Sequence, residues 1–232
     1  MTELVARDKN HASVVMWSIG NEPRSENPAA RDYFQAVADH TRAMDPTRPI
    51  TLVIDRNWDN DQGAYAVDII GINRYFGWYV DTGEIDYIYR QLTADLRDWK
   101  AQHNKPIMIT EYGADTNAGF HEVPSTIFTE EYQTDLMREY FKAFDTLRNE
   151  DILIGEMIWN FADFMTRQEV KRAWGNRKGV FTRDRHPKSS AHLLRERYLA
   201  LAQGLEKKKI QNNDDDGIKK YVSEFDAMQC PA

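Results

Sequence analysis

Five short apolar runs constrain the fold most: Val14–Ile19, Ile50–Ile54, Val67–Ile72, Pro106–Thr110 and Ile152–Trp159. Each has the length of a strand and is rich in β-branched residues, which suit a pleated, half-buried surface. Turn residues bound them and longer amphipathic stretches separate them. That alternation is the pattern of strand–helix units feeding a parallel sheet with helices packed on it.

The intervening stretches read as helices. From Ala29 to Met44, Phe34, Val37, Ala38, Thr41 and Met44 recur on one face, with Pro28 at the first turn. Ile85, Ile88, Tyr89, Leu92, Leu96 and Trp99 form a second stripe. A third helix opens after Thr129, where Glu130 and Glu131 favour the positive end of its dipole, and carries Leu136, Met137, Tyr140, Phe141 and Phe144. A fourth starts near Ser189 or Ser190 with Leu194, the Arg197 stem, Tyr198 and Leu201. From Gly204 the apolar period disappears into Lys207–Lys209 and Asp214–Asp216, so residues 204–232 are expected to be a polar, disordered tail.

Composition removes several function classes. A net charge of −7 offers nucleic acid no overall attraction. No apolar run approaches the ~20 residues of a membrane span, and no charged-then-apolar leader opens the sequence. Cys230 is the one cysteine, so neither an internal disulfide nor a thiolate metal site is expected. The six histidines are scattered without ligand spacing, and no cofactor or metal is expected.

The chemistry lies at strand ends. Glu22 follows the first run and Glu111 the fourth, and parallel strands send both ends the same way. Either residue alone reads equally well as a strand cap or an ion-pair partner. Together they suit glycoside hydrolysis, in which one carboxyl protonates the leaving oxygen while the other attacks the sugar or activates water.

The segment Asp8–Glu22, with its Asp-Lys-Asn-His-Ala-Ser-Val-Val-Met-Trp-Ser-Ile-Gly-Asn-Glu run, resembles the acid/base signature of glycoside hydrolase family 2. Asp45–Pro49, Asn73-Arg74-Tyr75, Thr110–Ala114 and Trp159–Phe164 extend the resemblance. The likeness is to members acting on β-glucuronides and runs from about Thr2 to about Ala202. It implies a partial (β/α)8 TIM barrel, roughly strands 4 to 8 with their helices, because 232 residues fall short of the ~250 of a whole barrel. It also implies Glu111 as nucleophile, Glu22 as acid/base, Asn21 on the sugar hydroxyl beside the reacting carbon, Tyr75 beside the nucleophile, and Tyr79 and Trp159 lining the sugar pocket.

Substrate choice requires a group that reads the uronic carboxylate. Gly175-Asn176-Arg177-Lys178-Gly179 resembles the family's Asn-x-Lys element, which implies Asn176 and Lys178 on that carboxylate, with Arg172 assisting. Without the resemblance the same segment reads as a solvated basic loop. The expected activity is retaining hydrolysis of β-D-glucuronides or glucuronic-acid-terminated glycans by a longer, homo-oligomeric enzyme, lysosomal as in animal relatives. Alternatives are a β-galactosidase or β-mannosidase of the same family, or a non-catalytic remnant.

Overall fold

In the computed structural model, which describes residues 1–211, all five apolar runs pair into one parallel sheet. A short helix α1 (Thr2–Asp8) precedes β1 (Trp17–Asn21), α2 (Ala30–Met44), β2 (Ile50–Ile54), β3 (Ile69–Asn73), α3 (Ile88–His103), β4 (Ile107–Glu111), α4 (Glu130–Asn149), β5 (Leu153–Glu156) and α5 (Ser189–Gln211). Strand order in space equals strand order in sequence, β1-β2-β3-β4-β5. Every connection therefore returns the chain to the same end of the sheet, and every strand delivers its C-terminus to one rim. The α/β fold and the partial barrel expected from the sequence agree with this architecture.

One face of the sheet is covered by helices. Ile50, Leu52 and Ile54 of β2, Ile70 and Ile72 of β3, and Ile107 and Ile109 of β4 pack with Phe34, Leu92, Leu96, Trp99, Leu136, Met137 and Phe144 in a single buried cluster. Fully burying each such side chain stabilises the fold by about 1.5–3 kcal/mol. Helix α4 contributes most to this layer, with Tyr132, Leu136, Met137, Tyr140, Phe141, Phe144 and Leu147 all buried. Thr129 caps it, its Oγ1 accepting from the Tyr132 N–H at 3.1 Å.

Element edges depart from the sequence reading where tertiary contacts take over. The first strand was expected at Val14–Ile19 but begins at Trp17, whose N–H donates to the Pro49 carbonyl. Val14 lies outside the ladder because its carbonyl accepts from Arg48 Nε at 2.6 Å, and Val15 is 65% exposed. The third strand starts at Ile69, two residues later than expected, and the fifth ends at Glu156 rather than Trp159. Tyr89 and Tyr198, expected on buried helix faces, are at the surface. Arg197 lies on the inner face as expected, its guanidinium 4.9 Å from the centre of the Phe141 ring, and adds two hydrogen bonds to Glu156, both 2.9 Å. Helix α5 continues past Gly204 to Gln211. The rest of the expected tail, 212–232, lies outside the described residues.

Candidate active site

The C-terminal ends of β1, β3 and β4 converge on a cavity of about 450 Å³, a size suited to a small ligand. Glu22, Asn73, Tyr75 and Glu111 all line it. The register sets Asn73 of β3 opposite Glu111 of β4, and the Glu22 N–H donates to the Val53 carbonyl of β2. Glu22 adopts φ 47°, the left-handed region, just beyond the end of β1. A non-glycine residue held there carries strain that the surrounding contacts must overcome.

The two carboxyls differ in their surroundings. Glu111 is half-buried, and its Oε2 accepts from the Tyr75 hydroxyl at 2.6 Å. Glu22 is exposed to the cavity, and its Oε1 accepts from Asn73 Nδ2 at 2.7 Å. Asn73 is itself fixed from behind by the Thr110 hydroxyl, which donates to its Oδ1 at 2.6 Å. Burial pushes the Glu111 carboxyl above the usual range; the Tyr75 hydrogen bond opposes this, the Glu22 charge adds to it, and Asn73 and Lys178 pull it back. The Tyr75 hydroxyl is held well above its ordinary value by burial and by the adjacent Glu111 charge, so it remains a hydrogen-bond donor. Two carboxyls on one cavity, each held by a side-chain donor, are the groups that glycoside hydrolysis needs.

Glu156 shows what a structural strand-end carboxylate looks like in this protein. It is buried in the helix layer, gripped bidentately by Arg197 and contacted by Arg148 at 2.8 Å. Glu22 and Glu111 have no such cationic partner within ion-pair distance among the described residues, and their free valences face the cavity.

Gly113 shows why glycine follows the Glu111-Tyr112 pair. Its φ is 144°, and a Cβ there would lie 2.7 Å from the Trp159 carbonyl oxygen. The backbone must pass that closely for the Trp159 N–H to reach the Tyr112 carbonyl at 3.0 Å. Trp159 thereby joins the cavity wall.

The remaining expected residues separate into two depths. Asn21, Tyr79, Arg172 and Asn176 line the cavity with Trp159. Lys178 does not; it is fully buried, its Nζ donating to Asp115 Oδ1 at 2.7 Å and to the Tyr79 hydroxyl at 2.9 Å. Arg172 Nε donates to the same hydroxyl at 3.2 Å, so Tyr79 connects the cavity-lining cation to the fully buried one. Asn73, Thr110 and Asp115 were given no role by the sequence reading. Asn73 had a visible signal, a polar residue closing a buried strand as Glu111 does; Asp115 had none.

Residues 1–203 match the family described as glycosyl hydrolases family 2, TIM barrel domain. The chain belongs to glycosyl hydrolase family 2. β-Glucuronidase of Canis lupus familiaris is 52% identical over 202 residues, covering 87% of this chain and 31% of the relative. The β-D-glucuronidase structure for Dictyoglomus thermophilum is similar with a TM-score of 0.81 at 48% identity, over 84% of this chain and 33% of that one. β-Glucuronidase from Ruminococcus gnavus in complex with D-glucuronic acid gives 0.79 at 38% identity, over 84% and 34%. This family 2 chain thus spans about a third of the length of the relatives it matches.

Proposed function

We propose that this chain supplies the catalytic carboxylates of a retaining β-glucuronidase and works as the C-terminal part of a longer enzyme's barrel. The observation that carries the reading is one cavity containing Glu111 clamped by Tyr75, Glu22 held by Asn73, and the polar pair Arg172 and Asn176. Glu111 attacks the anomeric carbon while Glu22 protonates the leaving oxygen; Glu22 then takes the proton of the water that releases the sugar. Asn21 bonds the hydroxyl beside the reacting carbon, and Trp159 and Tyr79 provide ring surface for the sugar.

The uronic carboxylate sits against Asn176 and Arg172, with the Lys178 charge behind Tyr79. Lys178 reaches it directly only when the Tyr79 ring gives way. This cationic wall favours a uronide over the neutral sugars that a β-galactosidase or β-mannosidase takes. A homo-oligomeric assembly and a lysosomal address, carried over from animal members of the family, complete the reading.

The test is Glu111→Ala in the complete enzyme, assayed on a chromogenic β-glucuronide. Turnover is expected to fall by about three orders of magnitude or more, and azide to restore part of it by filling the vacated space. Unchanged turnover overturns the assignment of the nucleophile, and release of the inverted anomer by the parent enzyme overturns retention.

A further inference from the structure

Two buried lysines enter the wall behind the cavity, and they are bonded differently. An ammonium carries three N–H donors. Lys188 spends all three, on the Thr116 carbonyl at 3.0 Å, the Arg177 carbonyl at 2.9 Å and Asp163 Oδ1 at 2.9 Å. Lys178 spends two, on Asp115 and Tyr79, and its third has no partner among the described residues. The rings of Tyr75, Trp78 and Tyr79 surround its Nζ at 5.7, 5.2 and 4.7 Å, which favours a cation there without fixing its direction.

Asp115 is incomplete in the same way. It is fully buried, Oδ1 accepts from Lys178, and Oδ2 has no hydrogen-bond partner among the described residues, although the Arg177 backbone N–H lies close enough to the carboxylate to favour its charge. Burying two charges is offset only when the remaining donors and lone pairs are also satisfied. The Lys188–Asp163 pair comes closer to that condition, with Asp163 Oδ1 also accepting from the Gly179 N–H at 3.0 Å. The Lys178–Asp115 pair falls short, so a purely structural role accounts for it poorly. What distinguishes it is that its cation donates to Tyr79, which faces the cavity and also binds Arg172. Asp115 lies four residues after Glu111, on the loop leaving β4.

We infer that Asp115 is the positioning residue for carboxylate recognition: it holds the Lys178 ammonium against Tyr79 and so sets how strongly the cavity takes an anionic sugar. The inference rests on the glucuronide reading of the cavity. Asp115 touches no substrate and acts through Lys178 alone. Its removal therefore weakens binding of the charged sugar and leaves bond cleavage, which belongs to Glu22 and Glu111, largely as it was.

The experiment compares p-nitrophenyl β-D-glucuronide with p-nitrophenyl β-D-glucoside in the complete enzyme and in Asp115→Asn, which keeps the shape and one acceptor but loses the charge. Expected is a rise of about tenfold or more in KM for the glucuronide, with kcat within about threefold and kcat/KM for the glucoside unchanged. Equal losses on both substrates, or an unchanged glucuronide KM, overturn the role. If Asp115→Asn does not fold, Asp115→Glu is assayed on the same two substrates. It keeps the charge but moves it by a bond length, and a smaller rise confined to the glucuronide is expected; no rise overturns the role. Lys178→Ala separates the two readings. If it fails to distinguish the sugars, this inference falls while Arg172 and Asn176 still carry the glucuronide reading; a complete enzyme with no preference for the glucuronide overturns that reading and this inference with it. If it is selective while Asp115→Asn is silent, only the positioning role falls.

Discussion

Burial keeps a proton on Glu111 more tightly in the folded protein than in the unfolded chain, even with Tyr75 and Asn73 donating to stabilise the charge. The group's favourable contribution to stability is therefore complete below the ordinary carboxylate range and is lost as pH rises through its raised folded value. At neutral pH the protein holds a partly desolvated anion near a second carboxylate, a cost that fits the nucleophile role proposed for Glu111. Glu111→Gln removes the charge and retains an acceptor for Tyr75. The variant is expected to melt a few degrees above the parent at neutral pH, with the gap closing below about pH 4. Thermal unfolding of both proteins across that pH range checks it, and an equal or lower melting temperature at neutral pH contradicts the desolvation argument. The same residue-level logic explains what was hidden from the sequence. Glu22 and Glu111 stand out because each closes an apolar run, whereas the clamp on Glu22 depends on the end of β3 reaching the end of β1 past β2, a fact of strand order in space that no local pattern carries.

Helix α4 does more than cover the sheet, because two of its tyrosines hold the loop that carries the cavity's aromatic wall. The Tyr140 hydroxyl lies 3.0 Å from the Arg74 carbonyl and 3.2 Å from the Phe76 carbonyl, and the Tyr132 hydroxyl bonds the Gly77 carbonyl. Those carbonyls flank Tyr75, which in turn holds Glu111. Tyr140→Phe leaves the ring packing in place and strips the hydroxyl from two buried acceptors, a loss of about 1–3 kcal/mol. It is expected to lower kcat as well as stability, since a displaced Tyr75 no longer aims Glu111; urea unfolding and steady-state kinetics on the same variant check both. The existence and type of the long elements were legible because β-branched runs and helical stripes repeat over many residues. Their ends were less so, as β1 shows, where a single Arg48 bond to the Val14 carbonyl moves the strand start to Trp17. The basic segment around Asn176 misled in depth: its cluster of cations reads as solvated, but the partner that buries Lys178 comes from a different loop.

On the scale of the molecule, β1 and β5 each have one unpaired edge among the described residues. Near β5, Ile154, Met157 and Phe161 are 52, 48 and 62% exposed. Unpaired strand edges beside exposed apolar side chains invite association with other chains. The 232-residue chain expressed alone is therefore expected to self-associate and to show no glucuronide hydrolysis. Light scattering and a chromogenic assay check this, and a soluble, active monomer contradicts it. Replacing Ile154 and Met157 by lysine is expected to reduce the association. The matching of spatial order to chain order also affects how the protein comes into being. A chain emerging from the ribosome lays down each strand against a neighbour that has just been made, so no early segment has to wait for a distant one to complete its ladder. Glu22 is released first, receives its partner when β3 arrives, and meets Glu111 one unit later. The carboxylate pair is thus assembled stepwise at a growing margin, and a pause in translation between α3 and β4 would leave half of it already in place.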